Sequence, residues 1–322
     1  MKRSFALLVA LLVLLAVALT GCGGTDAAET GTEPEVKEGP EVRVASLLDS
    51  EGAVLGSMII QMLEANGIKT VDRTKLGTPD VVRQALLEGE IDITVDYTGS
   101  GQFYLEGQEG DPVWSDAAAG YERVKELDKE QNDVDWLAPA NANNTELIAT
   151  TEEFAAAESI TTMEDFAAYV NSGGEVKLIG AQAWMDNPAG LAGMEEAYGF
   201  KLTDAQLLPL SSGVTAEMLK ALANGTDGVN FSLAYGTDGQ LPDLGLVIIE
   251  DTIGVPPVYA PAPVARGEII VAYPEIVEIL KPVFESLDLV KLQELNAKVA
   301  LGGEDAMKVA EEYLTANGFL SE

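Results

Sequence analysis

The chain has 322 residues, a formal net charge of −34, one cysteine and no histidine. The strong negative charge makes nucleic acids and anionic lipid surfaces poor partners. The lack of histidine excludes Ser-His-Asp and Cys-His catalytic systems and the usual histidine-containing zinc sites, and no paired carboxylates or calcium ligands occur at a recognisable spacing. The composition therefore favours a binding protein without a metal or cofactor over an enzyme.

The N-terminus has the features of an exported lipoprotein. A basic start, Met1-Lys2-Arg3, precedes an apolar run from Phe5 to Leu19 that is too short and wrongly flanked for a spanning helix. The sequence Leu-Thr-Gly-Cys22 resembles the bacterial lipobox, which implies cleavage before Cys22 and lipid on its sulfur. We therefore expect a signal peptide at 1–21 and a flexible acidic tether at 22–40, whose composition cannot bury enough apolar surface to fold.

Strands and helices alternate in the first part of the folded chain. Apolar periodicity predicts strands at 41–46 and 91–97 and helices at 52–65 and 79–89, a β-α-β-α-β order that favours a mostly parallel sheet with helices on both faces. Ligands of such sheets bind beyond the carboxyl ends of the strands. Tyr97, which ends its strand before a glycine-rich turn, is therefore a candidate binding residue. From its position alone, a role in closing the core fits equally well.

The rest of the chain repeats this type of organisation. A polar segment at 141–145 suits a crossover between domains, and Tyr235 again stands at a strand end before a turn, Tyr-Gly-Thr-Asp-Gly239. The prolines of 255–263 predict an irregular segment. The remaining elements are predicted as strands at 134–139, 146–150, 176–179, 229–234 and 244–250 and as helices at 115–132, 163–171, 190–198, 215–224, 273–287, 289–301 and 305–317.

Four stretches together resemble the substrate-binding proteins of ABC transporters for glycine betaine, choline, carnitine and related quaternary amines. They are Asp49-Ser-Glu-Gly-Ala-Val-Leu-Gly56, Gly89-Glu-Ile-Asp-Ile-Thr-Val-Asp-Tyr-Thr-Gly99, Ala234-Tyr-Gly-Thr-Asp-Gly239 and Tyr259-Ala-Pro-Ala-Pro-Val264. The resemblance implies an α/β, two-lobed periplasmic-binding-protein fold of type II-like form, each lobe having a mixed, mostly parallel sheet flanked by helices. Lobe one would comprise 41–139 plus 242–322, and lobe two 140–241.

In the proteins that this chain resembles, a cage of aromatic side chains holds the trimethylammonium group. A quaternary ammonium has no N–H to donate, so ring faces attract it through cation–π interaction. The resemblance implies that Tyr97, Tyr235 and Tyr259 form three walls of this cage. The other ligand-binding positions that it implies are Ser46, Thr98, Ser100, Asn144, Glu146, Trp184 and Asn187.

The chain departs from the family pattern at three positions. Glu146 stands where a fourth aromatic residue is usual, Leu47 where a lysine is usual, and Asn187 where an arginine is usual. Losing both cations weakens the case for a ligand carboxylate, and a buried Glu146 would favour a ligand with positive charge only. We therefore expect a choline-like cation. If Glu146 instead faces solvent or a backbone donor, Thr98, Ser100 and nearby N–H groups could still bind a carboxylate.

The expected function is that of a monomeric, lipid-anchored solute-binding protein. It would work in the periplasm or at the outer face of the cell membrane, deliver a quaternary amine to an ABC permease and its ATPase, and perform no chemistry. Alternatives that stay open are the same fold binding a polyamine or an amino acid derivative, and a sensor lipoprotein without a transport role. An exported carboxylate-dependent hydrolase is the alternative of a different class.

Overall fold

The computed structural model of the protein describes residues 36–211 and 214–321. The predicted signal peptide, Cys22 and most of the tether lie outside the described residues. The first elements in chain order are β1 (Val42–Leu47), α1 (Ser50–Ala65), β2 (Thr70–Gly77), α2 (Pro79–Leu87), β3 (Ile93–Tyr97), α3 (Gly101–Tyr104), α4 (Ala117–Asn132), β4 (Val134–Trp136), β5 (Glu146–Thr151), α5 (Glu152–Glu158) and α6 (Met163–Asn171). They are followed by β6 (Leu178–Ala181), α7 (Gln182–Asp186), α8 (Leu191–Tyr198), β7 (Leu207–Leu210), α9 (Thr215–Ala223), β8 (Phe231–Tyr235), β9 (Leu246–Ile248), β10 (Pro261–Arg266), α10 (Gly267–Ala272), α11 (Ile276–Glu285), α12 (Leu289–Ala300) and α13 (Ala306–Ala316).

The first sheet has the strand order β2-β1-β3-β10-β4. Its strands β1 and β3 are almost fully buried because helices cover both faces. On one face α1 packs with α11, α12 and α13, and on the other face α2 and α4 pack against Trp114 and Trp136. We call residues 36–140 and 260–321, which build this unit, lobe one.

The second sheet has the strand order β7-β6-β8-β5-β9. Its core contains a cluster of aromatic rings from α6 and β8, in which Phe166 and Phe231 lie edge to face with centroids 4.8 Å apart. Such edge-to-face contacts suit the ring quadrupoles. We call residues 145–256, which build this unit, lobe two. No helix in the described ranges has both the length and the apolar character needed to cross a membrane.

The chain returns to lobe one later than the sequence indicated. β9 pairs antiparallel with β5, so Leu246–Ile248 belong to lobe two. The lobe boundary expected at 242 therefore moves beyond residue 250. The proline-rich segment also differs, because its last residues form β10. Pro261 and Pro263 occupy alternate positions whose carbonyls accept bonds from Ala140 and Leu137, so these prolines take part in the sheet as acceptors.

Two neighbouring crossings join the lobes, residues 141–144 and 257–259. Asn144 N donates to Tyr259 O at 2.9 Å, Tyr259 N donates to Asn143 Oδ1 at 2.8 Å, and the Thr145 hydroxyl donates to Pro257 O at 2.8 Å. These bonds hold the two crossings side by side, running in opposite directions. The α/β fold with two sheets and flanking helices is the one predicted. Within the described residues each sheet combines two parallel and two antiparallel strand pairings, so neither is mostly parallel.

Candidate functional site

The crossings bring strand ends from both lobes to one edge. β3 ends at Tyr97, which pairs with Pro261 at the start of β10. β8 ends at Tyr235, which pairs with Glu146 at the start of β5. Each crossing leads into a strand that begins at this edge, β5 in lobe two and β10 in lobe one. Each of these strands runs away from the edge and is antiparallel to the strand that ends there, β8 in lobe two and β3 in lobe one. This topology places Tyr97, Tyr235 and Glu146 where the lobes meet.

Tyr259 lies on the second crossing, close to the same edge. Its hydroxyl accepts a hydrogen bond from Gln102 Nε2 at 3.2 Å. Burial raises the pKa of both Tyr259 and Tyr235, and the nearby Glu146 carboxylate raises both further. The approach of Glu146 to Tyr235 follows from the strand pairing, because directly opposed side chains of an antiparallel pair lie about 5 Å apart on one face.

Glu146 is a partly buried carboxyl with no hydrogen-bond or ion-pair partner among the side chains and backbone groups of the described ranges. Burial raises its pKa to about 7. An unpaired carboxylate in such surroundings is unfavourable by several kcal/mol relative to water. Glu146 therefore does not meet a backbone donor among the described residues. The group is suited to a cation placed between it and the rings.

Tyr97 is anchored from behind by a carboxyl that sequence reasoning did not single out. Its hydroxyl donates to Glu51 Oε1 at 2.8 Å, and Asn296 Nδ2 donates to Glu51 Oε2 at 2.7 Å. Glu51 is only 4% exposed. A signal for it exists in the sequence, because it is the one charged residue among the buried positions of α1. Periodicity alone could not show which partners it meets.

Two residues of the turn after Tyr97 hold the turn in place. The Thr98 hydroxyl donates to Val258 O at 2.9 Å and accepts from Ala260 N at 3.2 Å, so it joins the turn to the second crossing. The Ser100 hydroxyl lies beside the buried Asp96 carboxyl. Burial raises the pKa of Asp96 to about 6, and the Ser100 hydroxyl opposes this rise. Both hydroxyls are thus engaged with protein groups near the tyrosines.

Two other predicted residues carry buried polar atoms without partners. Asn144 Oδ1 and Trp184 Nε1 have no hydrogen-bond partner in the described part of the chain. Asn144 lies on the first crossing, and its amide is close enough to the Tyr97 hydroxyl to lower the pKa of that group, although burial raises it more. Trp184 follows β6 and packs in the core of lobe two. A buried polar atom of this kind is expected to find a partner in a ligand or in water.

The side-chain oxygens of the last two predicted residues form hydrogen bonds with backbone groups outside the tyrosine cluster. The Ser46 hydroxyl donates to Leu47 O at 3.1 Å and accepts from Lys75 N at 3.0 Å. Asn187 Oδ1 accepts from Ala189 N at 2.9 Å. These bonds stabilise the end of β1 and the turn after α7, and they leave neither of these oxygens directed at the tyrosines.

A cavity of about 380 Å³ lies on the opposite face of the first crossing. Its walls include Asn143, Thr145 and Leu147, whereas Asn144 and Glu146 alternate with them and face the other way. The three tyrosines do not line it. Within the described part of the chain, no group of three or more histidine, cysteine or acidic side chains is placed to hold a metal ion.

Comparison with known proteins agrees with this geometry. Residues 40–316 match the family described as the substrate binding domain of ABC-type glycine betaine transport systems. The chain belongs to this family. Its members are binding proteins, so the family gives this chain a binding role rather than an enzymatic one, and the resemblance expected from the sequence is confirmed.

Two relatives cover most of the chain. The glycine betaine-binding protein YehZ of Escherichia coli strain K12 is 46% identical over 278 residues, which are 86% of this chain and 91% of that protein. A glycine-betaine-binding protein of Pseudomonas aeruginosa is 31% identical over 287 residues, 87% of this chain and 89% of that protein. The structure of apo YehZ superposes with a TM-score of 0.75 and covers 88% of this chain and 100% of that one.

Proposed function

We propose that the protein is an extracytoplasmic, lipid-anchored receptor that binds a quaternary amine between its lobes and delivers it to an ABC permease. One observation carries the ligand class: Tyr97, Tyr235 and Tyr259 come from both lobes and the second crossing to the edge where the lobes meet, beside an unpaired carboxyl. Ring faces and a carboxylate attract a cation without needing an N–H group, and closure of the lobes would exclude water from it.

Within this class we propose a choline-like cation rather than a zwitterion. Glu146 already supplies a negative charge beside Tyr235 and Tyr259. A ligand carboxylate would add a second negative charge, and Leu47 and Asn187 offer no cation to offset it. Glycine betaine, which the names of the relatives specify, is the competing ligand. It would need backbone N–H groups to take the place of the missing cations.

A ligand panel tests the proposal. Isothermal titration calorimetry with choline, glycine betaine, carnitine, proline betaine and spermidine should give the tightest binding for choline. Tyr97→Ala and Tyr235→Ala should lose binding of every quaternary amine, whereas Tyr121→Ala, which removes a tyrosine from α4, should keep it. Glycine betaine binding tighter than choline would overturn the preference, and no binding of any quaternary amine would overturn the class.

A second candidate ligand is an amine that carries N–H groups, such as a polyamine. The buried Asn144 Oδ1 favours it, because this acceptor lacks a partner and a quaternary ammonium cannot donate to it. The hydroxyl of choline could also donate to this oxygen. Tighter binding of spermidine than of choline, lost on Asn144→Ala, would support the polyamine.

Lipid anchoring and the transport partners complete the proposal. Cys22 in its lipobox would carry the lipid, and the acidic tether to residue 40 would hold the lobes off the membrane where a permease and its ATPase act. Wild-type protein expressed in a bacterial host should partition into the detergent phase of a Triton X-114 extraction. Cys22→Ser should remain in the aqueous phase, and detergent partitioning of this variant would refute the anchor.

A further inference from the structure

Glu51 and Tyr97 form part of a buried hydrogen-bond network that extends from lobe one to lobe two. Glu51 lies in the first turn of α1 and accepts from the Tyr97 hydroxyl at 2.8 Å and from Asn296 Nδ2 at 2.7 Å. Asn296, on α12, also donates to Thr237 O at 2.9 Å. Thr237 belongs to the turn directly after Tyr235. One carboxyl thus connects an aromatic wall of lobe one with the turn that follows an aromatic wall of lobe two.

Burying these polar groups costs free energy, which is hard to explain if the network only fills space. Glu51, Thr237 and Asn296 are all buried. Glu51 forms no ion pair with any described residue, so no opposite charge offsets the cost of removing its carboxylate from water. The first turn of a helix favours a negative charge, but by only about 1 kcal/mol. A functional use of the charge explains its presence better than packing does.

The hydrogen bond to Glu51 affects Tyr97 in two ways. It fixes the far end of the ring, so that the ring face keeps one orientation toward the proposed cation. It also increases the electron density of the ring, because the phenolic proton is held by a carboxylate, and a more electron-rich face attracts a cation more strongly. The second effect depends on Glu51 being ionised.

We propose that Glu51 is a positioning residue for cation binding, which orients and polarises Tyr97 and links its ring to the turn after Tyr235 through Asn296. This inference rests on the proposed function, since it needs a cation against Tyr97. It deepens that function, because the receptor then detects positive charge at two places, directly through Glu146 and indirectly through Glu51.

The surroundings of Glu51 make this effect depend on pH. The titratable groups that face it are Tyr97 at the end of β3 and Asp49 at the N-terminus of α1, while α12 and the turn of lobe two present the uncharged Asn296 and Thr237. Burial raises the pKa of Glu51 to about 7, and the side chains of Thr237, Asn296 and Tyr97 lower it from a still higher value. Cation affinity should therefore increase as the pH rises through this range.

Titration calorimetry with choline from pH 5.5 to 8.5 tests the inference. Glu51→Gln keeps the size of the side chain and a hydrogen bond to Tyr97, but it cannot ionise. At pH 8 we expect it to weaken choline binding about 10-fold, by analogy with the range of cation–π energies. Tyr97→Phe keeps the ring and should lose a similar amount. The double variant should bind no more weakly than the weaker single variant, because both changes break one link.

Three comparisons separate this role from a structural one. Glu146→Gln should leave the pH step that belongs to Glu51, Glu51→Gln should leave the step of Glu146, and the double Gln variant should show neither step. Asn296→Ala removes a donor that lowers the Glu51 pKa, so the midpoint of that step should move to higher pH. Glu64→Gln makes the same change at an exposed site of α1 and should behave as wild type.

Some outcomes would overturn the inference alone. Choline affinity of Glu51→Gln equal to that of wild type at all pH values, or effects of Glu51→Gln and Tyr97→Phe that add in full, would do so while Tyr97→Ala still abolished binding. Absence of binding by the wild-type protein to any quaternary amine would instead overturn the proposed function, and this inference with it. Circular dichroism and thermal unfolding of each variant identify any that fail to fold, and Asn296→Ala approaches Glu51 independently.

Discussion

Replacing Glu146 by glutamine should change stability and affinity in opposite directions. The folded-state pKa of Glu146 is about 7, above its ordinary value of 4.5, because the carboxylate is buried without a partner. The folded protein therefore holds a proton that the unfolded chain has released between these two pH values. The contribution of Glu146 to the free energy of unfolding is therefore fully present below pH 4.5 and is lost as the pH rises through 7. The full effect above pH 7 is about 3 kcal/mol at most, since each pKa unit corresponds to 1.36 kcal/mol.

Glu146→Gln removes this unfavourable charge but leaves a buried amide. At pH 8 we expect the ligand-free variant to be about 1–2 kcal/mol more stable than wild type in urea unfolding, and the difference should disappear near pH 4.5. For a cation about 5 Å from the carboxylate, an effective dielectric constant of about 20 gives an attraction of about 3 kcal/mol. The same variant should therefore bind choline about 100-fold more weakly at pH 8.

The control is Glu152→Gln, an exposed position just after β5, which should change neither quantity. The assays are urea unfolding of the ligand-free protein and calorimetric titration with choline, both at pH 5 and pH 8. A Glu146→Gln variant that is less stable than wild type at pH 8 would show that Glu146 has a stabilising partner. Unchanged choline affinity would show that the carboxylate does not face the cation.

Three further changes test other parts of the structure. Tyr235→Phe keeps the ring and should bind choline within about 3-fold of wild type, whereas Tyr235→Ala removes a wall of the cage and should lose choline binding in calorimetry. Asp128→Asn breaks the buried pair with Arg83, whose bonds are 2.6 and 2.8 Å long, and should lower the urea-unfolding free energy by about 3–5 kcal/mol. Gly239→Ala would place a Cβ against the backbone of α12 at Gln293, so it should separate the turn from that helix and weaken choline binding; wild-type affinity would refute the contact.

The tyrosines could be found from sequence because strand ends are local features. Alternation of apolar and polar residues up to Tyr97 and Tyr235, followed by glycine-containing turns, predicts where each strand stops. The carboxyl edge of a strand is a usual place for a ligand. The same reasoning failed for Pro261, because its place in β10 depends on pairing with Tyr97 and on a hydrogen bond from Ala140 to its carbonyl, both distant in sequence.

Long-range partners account for the other differences. The assignment of Leu246–Ile248 to lobe two follows from pairing with β5, about 100 residues earlier in the chain, and nothing in the local pattern indicates it. Glu51 meets Asn296 across 245 positions of sequence. Its charge within an apolar helix was visible, but its hydrogen bond to Tyr97 requires the folded arrangement of α1 beside β3.

The electrostatics of the site connect its stability with its proposed ligand. Glu51 is a buried and Glu146 a partly buried carboxyl, both have a pKa of about 7, and neither has a cationic partner among the residues that the structure describes. Without ligand, each is unfavourable when ionised, so near neutral pH each is partly protonated. A bound cation stabilises the ionised forms, and binding should therefore release protons. In calorimetry at pH 7, the apparent binding enthalpy of choline should differ between phosphate and Tris buffers in proportion to the protons released. A zwitterion that brings its own carboxylate would stabilise these groups less, so glycine betaine should release fewer protons than choline.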